Sequence, residues 1–204
     1  PAPGRRLSPE TRMSAKQLAK KLKQQFEEVV SKPAEFRGEL TLEVSDASQI
    51  AGVCQFAREA LGFDYLVDLT TIDNYEEAPR WTAVYHLYSY EHFCHLRLKT
   101  SVSEEVSELP SVSTVWRTAN WHEREAYDMM GIRFAGHPDL RRILMWEGYP
   151  YFPLRKDFPL AGKSSEMPDV AFSDPAPLEG GPFVTVAGGE DSTAREPRVR
   201  NPEG

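Results

Sequence analysis

The chain has 204 residues, of which 40% are hydrophobic and 27% charged, a composition typical of a globular domain with a sizeable core. Its 24 basic and 31 acidic residues give a net charge of −7, so we expect no nucleic-acid partner. No apolar run approaches the roughly 18 residues of a membrane span, and no secretory signal follows Arg5 and Arg6, so we expect a chain that is cytosolic or faces the cytosol.

Helical and strand patterns alternate in the first part of the chain. Apolar residues recur at helical spacing from Ser14 to Ser31 and predict an amphipathic helix. A half-buried strand is predicted from Leu40 to Val44, where apolar and polar residues alternate. Ser45 or Asp46 can then cap a second helix that ends at Gly62.

Three further strands are predicted before residue 103. Tyr65 to Ile72 is apolar and rich in β-branched residues, and Trp81 to Tyr90 and Phe93 to Val102 flank a short turn. Helices interleave with the early strands, whereas the last strands form a hairpin. We therefore predict an α+β fold, a mixed sheet with helices packed on it, followed by a long irregular C-terminal arm.

The helical pattern returns between Ser113 and Met130, with Gly131 placed to end the helix. Two interpretations of its start remain open. Either the helix is continuous and His122 and Glu123 are partly buried, or it restarts at Asn120, which would form a capping box with Glu123.

Irregular sequence follows Phe134, and ten of the 16 prolines lie at or after Pro138. We predict an N-terminal extension over residues 1–12, a compact α+β domain over 13–135 and an extended arm over 136–204. Apolar residues in the arm favour a segment that orders against a partner protein, although a disordered tail is the alternative.

No pattern in the sequence is typical of a catalytic centre. Nucleophile motifs and glycine-rich phosphate loops are missing, and the only two cysteines, Cys54 and Cys94, exclude a four-thiolate zinc or iron–sulfur site within the chain. His92, Cys94 and His95 offer too few convergent ligands for a metal. We expect reduced thiols that are buried or half-buried, and no catalytic, metal or cofactor-binding residue.

Six acidic and six basic residues balance between Asn120 and Asp157. One interpretation is a solvated surface with weak ion pairs. The functional alternative is that helix carboxylates hold arginines of the arm, whose remaining donors face a partner. On this hypothesis Glu123 anchors Arg141, Arg142 or Arg155.

Three sequence motifs carry a family resemblance. They are EREAYDMMGI from Glu123 to Ile132, GHPDLRRIL from Gly136 to Leu144 and PLRKDFPL from Pro153 to Leu160. With this spacing, residues 109–160 resemble the family of the C subunit, or 30 kDa subunit, of respiratory complex I, and residues 26–102 are similar to the α+β domain of that family. The chain departs from the common pattern by inserted aromatic residues from Tyr149 to Phe152 and by a missing histidine.

The resemblance implies a peripheral-arm subunit of the proton-translocating NADH:quinone oxidoreductase, at the cytoplasmic face of a bacterial inner membrane. Such a subunit carries no cofactor of its own, whereas FMN, iron–sulfur clusters and quinone belong to other subunits. Its main partner would be the D subunit of complex I, whose interface with the B subunit forms the quinone site, and other peripheral-arm subunits such as the B subunit would also be partners. The membrane would be reached only through the assembly.

We predict that the partner-facing surface comprises the helix from about Trp121 to Met130 and the arm from His137 onward. Its predicted residues are Glu123, Arg124, Glu125, Tyr127, Asp128, His137, Pro138, Asp139, Leu140, Arg141, Arg142, Leu154, Arg155, Lys156 and Asp157. One alternative is the equivalent subunit of a membrane-bound hydrogenase or a ferredoxin-fed complex. Another is a free-standing enzyme that uses His122 or His137 with Glu123 as an acid–base pair.

Overall fold

A computed structural model of the protein describes residues 12–160. The described residues belong to two units, one that runs to Gly148 and one that begins at Tyr149. The first unit thus continues past residue 135, where the sequence analysis placed the start of the arm. The expected N-terminal extension, apart from Arg12, and the arm after Leu160 lie outside the described residues.

Within residues 12–160 the chain forms three α-helices and seven strands. The helices are α1 (Ala15–Gln25), α2 (Ile50–Leu61) and α3 (Ala119–Met130). The strands are β1 (Ala34–Phe36), β2 (Glu39–Val44), β3 (Tyr65–Asp73), β4 (Trp81–Ser89), β5 (Cys94–Val102), β6 (Glu108–Pro110) and β7 (Arg133–Ala135). None of the described helices is long and apolar enough to cross a membrane.

The main sheet is mixed, which confirms the predicted fold class. Its strand order is β1-β2-β5-β4-β3, with antiparallel pairing everywhere except between β2 and β5, which are parallel. The short strands β6 and β7 form a separate parallel pair. Strands β1, β6 and β7 were not predicted, because three residues are too few to show a two-residue period.

The core of the first unit lies against one face of the main sheet. Alternate residues of β4, among them Trp81, Tyr85 and Leu87, are fully buried. They share one apolar cluster with Leu22 of α1 and Val53 of α2. Because side chains alternate across a strand, the intervening residues of β3, β4 and β5 face away from this core.

The first helix is shorter than predicted. Ser14 caps α1 through a capping box with Gln17, and the helix ends at Gln25 rather than near Ser31. Ser31 instead pairs with β2, since its N–H donates to the carbonyl of Glu43 at 2.8 Å. Val30 likewise forms a bridge to Val44 of β2, a pairing that helical spacing alone does not reveal.

The second helix follows its prediction closely. Asp46 caps a single 3₁₀ turn by accepting the N–H of Ser48 at 2.9 Å, and α2 continues from that turn. Gly62 ends α2 in the left-handed conformation with φ +73°. A Cβ at this position would lie 2.9 Å from Oε2 of Glu91, the far end of an exposed side chain that can move aside, so it is the backbone conformation that favours glycine here.

The third helix begins at Ala119, so it is not continuous from Ser113, and the alternative start with a capping box at Asn120 is also wrong. Thr118 precedes the helix without a side-chain cap, and residues 113–118 form turns rather than helix. The carboxylate of Glu123 binds residues before the helix instead of the backbone of Asn120. Gly131 ends α3 with φ +80°, as predicted.

Both cysteines are free thiols, as predicted from their separation in the sequence. Cys54 is buried in α2 and Cys94 is half-buried at the start of β5. Burial raises the pKa of each thiol, because the low-dielectric interior disfavours the thiolate.

Candidate interaction surface

Helix α3 carries three buried charged residues, Glu123, Arg124 and Asp128. Burying a charge is unfavourable unless partners replace the hydration that is lost. Each of the three is satisfied by a segment outside the helix, so together they fix how the chain runs before and after α3. We describe the surface formed by α3 and residues 137–148 as the α3 surface.

Asp128 organises the segment that follows the helix. Its Oδ2 accepts the N–H groups of Ile143, Leu144 and Met145 at 3.0, 2.7 and 2.8 Å, and its Oδ1 accepts Nη1 of Arg142 at 2.6 Å. Burial alone would raise the pKa of Asp128, but these bonds outweigh it and hold the pKa below its ordinary value. Three successive backbone N–H groups thus surround the carboxylate as a nest surrounds an anion.

Arg124 holds the same segment from the other direction. Its Nε and Nη2 donate to the carbonyl oxygens of Arg141 and Arg142, both at 3.1 Å. Its guanidinium carbon also lies 5.1 Å from the centre of the Trp121 ring, within the range of a cation–π contact. Arg124 is therefore an internal clamp, whereas the sequence analysis placed it among the partner-facing residues.

Glu123 binds the chain before the helix. Its Oε1 accepts the N–H of Val112 and its Oε2 accepts the hydroxyl of Ser111, both at 2.6 Å. Burial raises the pKa of Glu123 to about 7, although both hydrogen bonds oppose this shift.

The prediction that Glu123 holds an arginine is wrong. Arg142 is bound by Asp128, and Nε of Arg141 lies 2.9 Å from Oδ2 of Asp139. Arg155 belongs to the second unit, where its guanidinium lies over the ring of Phe152. Glu123 and Asp128 stand on the same helix, but only Asp128 binds residues 142–145.

His137 links this segment to the beginning of α3. Its Nε2 lies 3.2 Å from the carbonyl oxygen of Asn120, and its Nδ1 accepts the N–H of Asp139 at 3.0 Å. Both ring nitrogens of His137 are therefore engaged by the backbone. Nε2 is also 3.9 Å from Oε2 of Glu123, and both side chains are fully buried.

This geometry disfavours the acid–base enzyme considered above. The Glu123 and His137 side chains are enclosed, so a substrate could not reach them, and the proton of Nε2 is engaged by the backbone. His122 points elsewhere, with Nδ1 3.4 Å from Oδ1 of Asp68 on β3. Among residues 12–160 no three His, Cys, Asp or Glu side chains are grouped so that they could hold a metal ion.

The exposed part of the α3 surface contains two large apolar side chains that the predicted set omitted. Trp121 is 61% exposed and Leu144 is 63% exposed. They stand among the predicted residues that do reach solvent, which are Glu125, Pro138, Asp139 and Arg141; Tyr127 and Leu140 are half-buried. The signal for both was present in the sequence, because Trp121 shortly precedes the first charged motif and Leu144 ends the second.

The second unit, over residues 149–160, contains a chain of aromatic contacts. The rings of Tyr149 and Tyr151 lie 5.6 Å apart and those of Tyr151 and Phe158 lie 6.0 Å apart. The guanidinium of Arg155 is 4.5 Å from the centre of Phe152. The inserted aromatics of this chain thus contact each other and the motif that follows them. The predicted site residues in this unit are Leu154, Arg155, Lys156 and Asp157, of which Arg155 alone is half-buried.

The sequence from residue 43 to residue 164 matches the family model described as respiratory-chain NADH dehydrogenase, 30 Kd subunit. The chain belongs to this family. The match includes α3, the nest around Asp128 and the whole described part of the second unit. The family expected from the three motifs is thereby confirmed.

Individual relatives agree with the family. The C 2 subunit of the NADH-quinone oxidoreductase of Rhizobium etli is 51% identical over 133 residues, which cover 64% of this chain and 71% of the relative. The C subunit of the Geotalea uraniireducens enzyme is 44% identical over 146 residues, 72% of this chain and 88% of the relative. Among solved structures, a trypsin-resistant fragment of Nqo5 is similar with a TM-score of 0.53 and 27% identity, covering 63% of this chain and 100% of the fragment.

Proposed function

We propose that this protein is a cofactor-free, non-catalytic C subunit of an NADH:quinone oxidoreductase, and that its α3 surface docks on the D subunit. Family membership makes the chain part of an enzyme complex, and the relatives named above are subunits of NADH-quinone oxidoreductases. The protein stands in the peripheral arm on the cytoplasmic face of the inner membrane and reaches the membrane only through the assembly. FMN, iron–sulfur clusters and quinone reside on its partners.

The observation that carries the docking proposal is the preorganised α3 surface. Asp128 and Arg124 form hydrogen bonds to the backbone of residues 141–145 and hold this segment in one conformation. Trp121 and Leu144 are left exposed among charged neighbours. Apolar and aromatic anchors within a polar rim are typical of protein interfaces, and a surface that is already ordered loses little entropy on binding.

The cofactor-free assignment rests on residue chemistry. Two cysteines, one buried in α2 and the other on β5, cannot ligate an iron–sulfur cluster within this chain. The enclosed pair of Glu123 and His137 is bound to the backbone and to Ser111 rather than presented to a ligand. In the described part of the chain, the buried charged residues of the motifs hold the fold together, which suits a scaffold.

The docking proposal is tested by substituting Trp121 with a photo-cross-linking derivative of phenylalanine. The variant is the full chain, and it is irradiated in native membranes. We expect the principal adduct to map to the D subunit. An adduct on a protein of a hydrogenase or ferredoxin-linked complex would favour the related complexes instead, and an adduct on a different protein of complex I would refute docking on the D subunit.

Trp121→Ala tests the energetic role of the same anchor. Loss of a central interface tryptophan costs roughly 2 kcal/mol or more, about 30-fold in affinity. We expect a smaller fraction of the chain to co-migrate with the assembled complex on native gels, with unchanged NADH:quinone activity per assembled complex. Val106→Ala is the control, because Val106 is 55% exposed and lies in the loop after β5. Equal assembly of the two variants would contradict the proposal.

A further inference from the structure

The main sheet carries a second exposed feature on the face opposite the core. The register of β3, β4 and β5 places Tyr65, Tyr88 and His95 directly opposite one another across three strands. The rings of Tyr88 and His95 are 4.6 Å apart. Tyr90, in the turn after β4, joins them with its ring 4.9 Å from Tyr88 and 5.9 Å from Tyr65. We call these four residues the aromatic row.

The aromatic row is open to solvent. Tyr65 is 40% exposed and Tyr90 is 55% exposed, whereas the neighbouring core-facing row of Leu66, Leu87 and Leu96 is buried. Cross-strand aromatic pairs stabilise a sheet by their mutual contact. That contact does not require large rings with their faces in water, so packing within the chain does not account for the exposure.

The positively charged groups beside the aromatic row are paired or neutralised. The next row across the sheet is Asp68, His86 and Arg97, in register on β3, β4 and β5. Arg97 is bound by the carboxylate of Glu39, so its charge is balanced. Burial and the nearby Arg97 lower the pKa of His86, which disfavours its charged form.

Two carboxylates remain next to the rings. Asp64 lies immediately before Tyr65, and its Oδ1 accepts the N–H of Tyr90 at 3.0 Å. Asp68 is close to His122 Nδ1, at 3.4 Å, and its side chain is 48% exposed. The faces of tyrosine rings carry negative partial charge, so rings and carboxylates together make this end of the sheet attractive to a cation.

We propose that the aromatic row is a docking surface for an extended, arginine-bearing segment of another protein of the assembly. A guanidinium stacks on the exposed ring of Tyr65 or Tyr90 and turns its remaining donors to Asp64 or Asp68. Arginine suits this site because its planar group both stacks on aromatic rings and donates to carboxylates. The aromatic row contains neither Trp121 nor Leu144, and its residues lie on β3, β4, β5 and the turn after β4, so the two proposals are tested at different residues.

The test uses the full chain in membranes that contain the assembled complex. Tyr90 is substituted with a photo-cross-linking derivative of phenylalanine. In the control, Val106, which is also 55% exposed, is substituted in the same way. Adducts are located by mass spectrometry after digestion. We expect the adduct from the Tyr90 position to map to another protein of the complex, with an arginine within about three residues, since that span is roughly 10 Å of extended chain.

A pair of variants separates cation binding from simple apolar contact. In the same cross-linking experiment, Tyr65→Phe retains the aromatic face, whereas Tyr65→Leu retains apolar surface without it. We expect Tyr65→Leu to lower the adduct yield about two- to fivefold and Tyr65→Phe to leave it unchanged, as for an exposed cation–π contact.

Four results would overturn the proposal. The first two are an adduct yield at the Tyr90 position no higher than at Val106 and an adduct confined to this chain. The other two are a cross-linked segment without arginine near the adduct and equal yields for Tyr65→Phe and Tyr65→Leu. The first two would show that no partner docks on the aromatic row, and the last two would show that no arginine binds there.

Discussion

Replacing Asp128 tests whether one buried carboxylate holds the segment after α3 in place. In Asp128→Ala the three N–H groups of Ile143, Leu144 and Met145 lose their acceptor, and Arg142 loses its counter-ion. The backbone of residues 131–140 and the packing of α3 are not touched directly by the substitution. The variant should therefore remain folded while this segment comes loose.

The expected cost follows from what becomes unpaired. Removing one partner of a buried ion pair costs about 3–5 kcal/mol when the other charge stays buried. The Arg142 side chain reaches the surface with 10% of its area exposed, and both it and the N–H groups can be hydrated when the segment moves out. The loss is thereby limited to the lower end, about 3 kcal/mol or roughly a hundredfold in the unfolding equilibrium.

The measurement combines urea unfolding with amide hydrogen exchange of the full chain. We expect the free energy of unfolding to fall by the amount above and the amides of residues 143–145 to lose their protection. Asp139→Ala is the matched control, because Asp139 also pairs with an arginine in this segment but lies on the surface, with both side chains more than half exposed. An exposed pair contributes at most about 1 kcal/mol.

The pH dependence has a definite sign. The native pKa of Asp128 lies below the ordinary 3.8, so its stabilisation is present above that value and is lost as the pH falls through the native pKa. Asp128→Ala should lack this acid-sensitive part. Unchanged protection of residues 143–145 in the alanine variant, or an equal loss of stability in Asp139→Ala, would refute the reasoning.

Three further predictions concern single residues of the first unit. Because the pKa of Glu123 is raised from 4.5 to about 7, the native state binds the extra proton and stability should fall by about 3 kcal/mol as the pH rises through that window. Glu123→Gln mimics the protonated acid, so its urea midpoint should lack this decline; a persisting decline would assign it to another group. Half-buried Cys94 should react with a thiol reagent before buried Cys54, and equal rates measured by mass spectrometry would contradict the burial. Gly62→Ala should lower stability by about 1–2 kcal/mol in urea unfolding, because its φ is +73°, and no change would contradict the strain argument.

Local periodicity was sufficient for most of the main elements. Strands β3, β4 and β5 agree with their predictions to within one residue at every end. Burial on one face imposes a two-residue alternation, which can be recognised without knowing the partner strand. The same reasoning located α2 and its glycine cap. It overextended α1, since residues after Gln25 keep apolar side chains at helical spacing while pairing with β2.

The family was also determined by the sequence itself, through the three charged motifs. What those charges contact was decided only by the tertiary structure. Glu123 and Asp128 are both acidic residues on one helix, and both neighbour arginine-rich sequence. Their spacing in the sequence does not predict which residues bind each carboxylate. In the structure Ser111 and Val112 donate to Glu123, whereas Arg142 and the N–H groups of residues 143–145 donate to Asp128.

The aromatic row shows the same division between local pattern and tertiary register. Alternation along β3, β4 and β5 predicted which residues share a face, but not that Tyr65, Tyr88 and His95 stand opposite one another. A shift of two residues in either pairing would keep every buried side chain buried and would separate the rings. The sequence by itself determined the family, the main elements and the buried faces, because those depend on local spacing. Strand register and the packing of loops against α3 depend on contacts between residues distant in the sequence, so only the folded structure decided them.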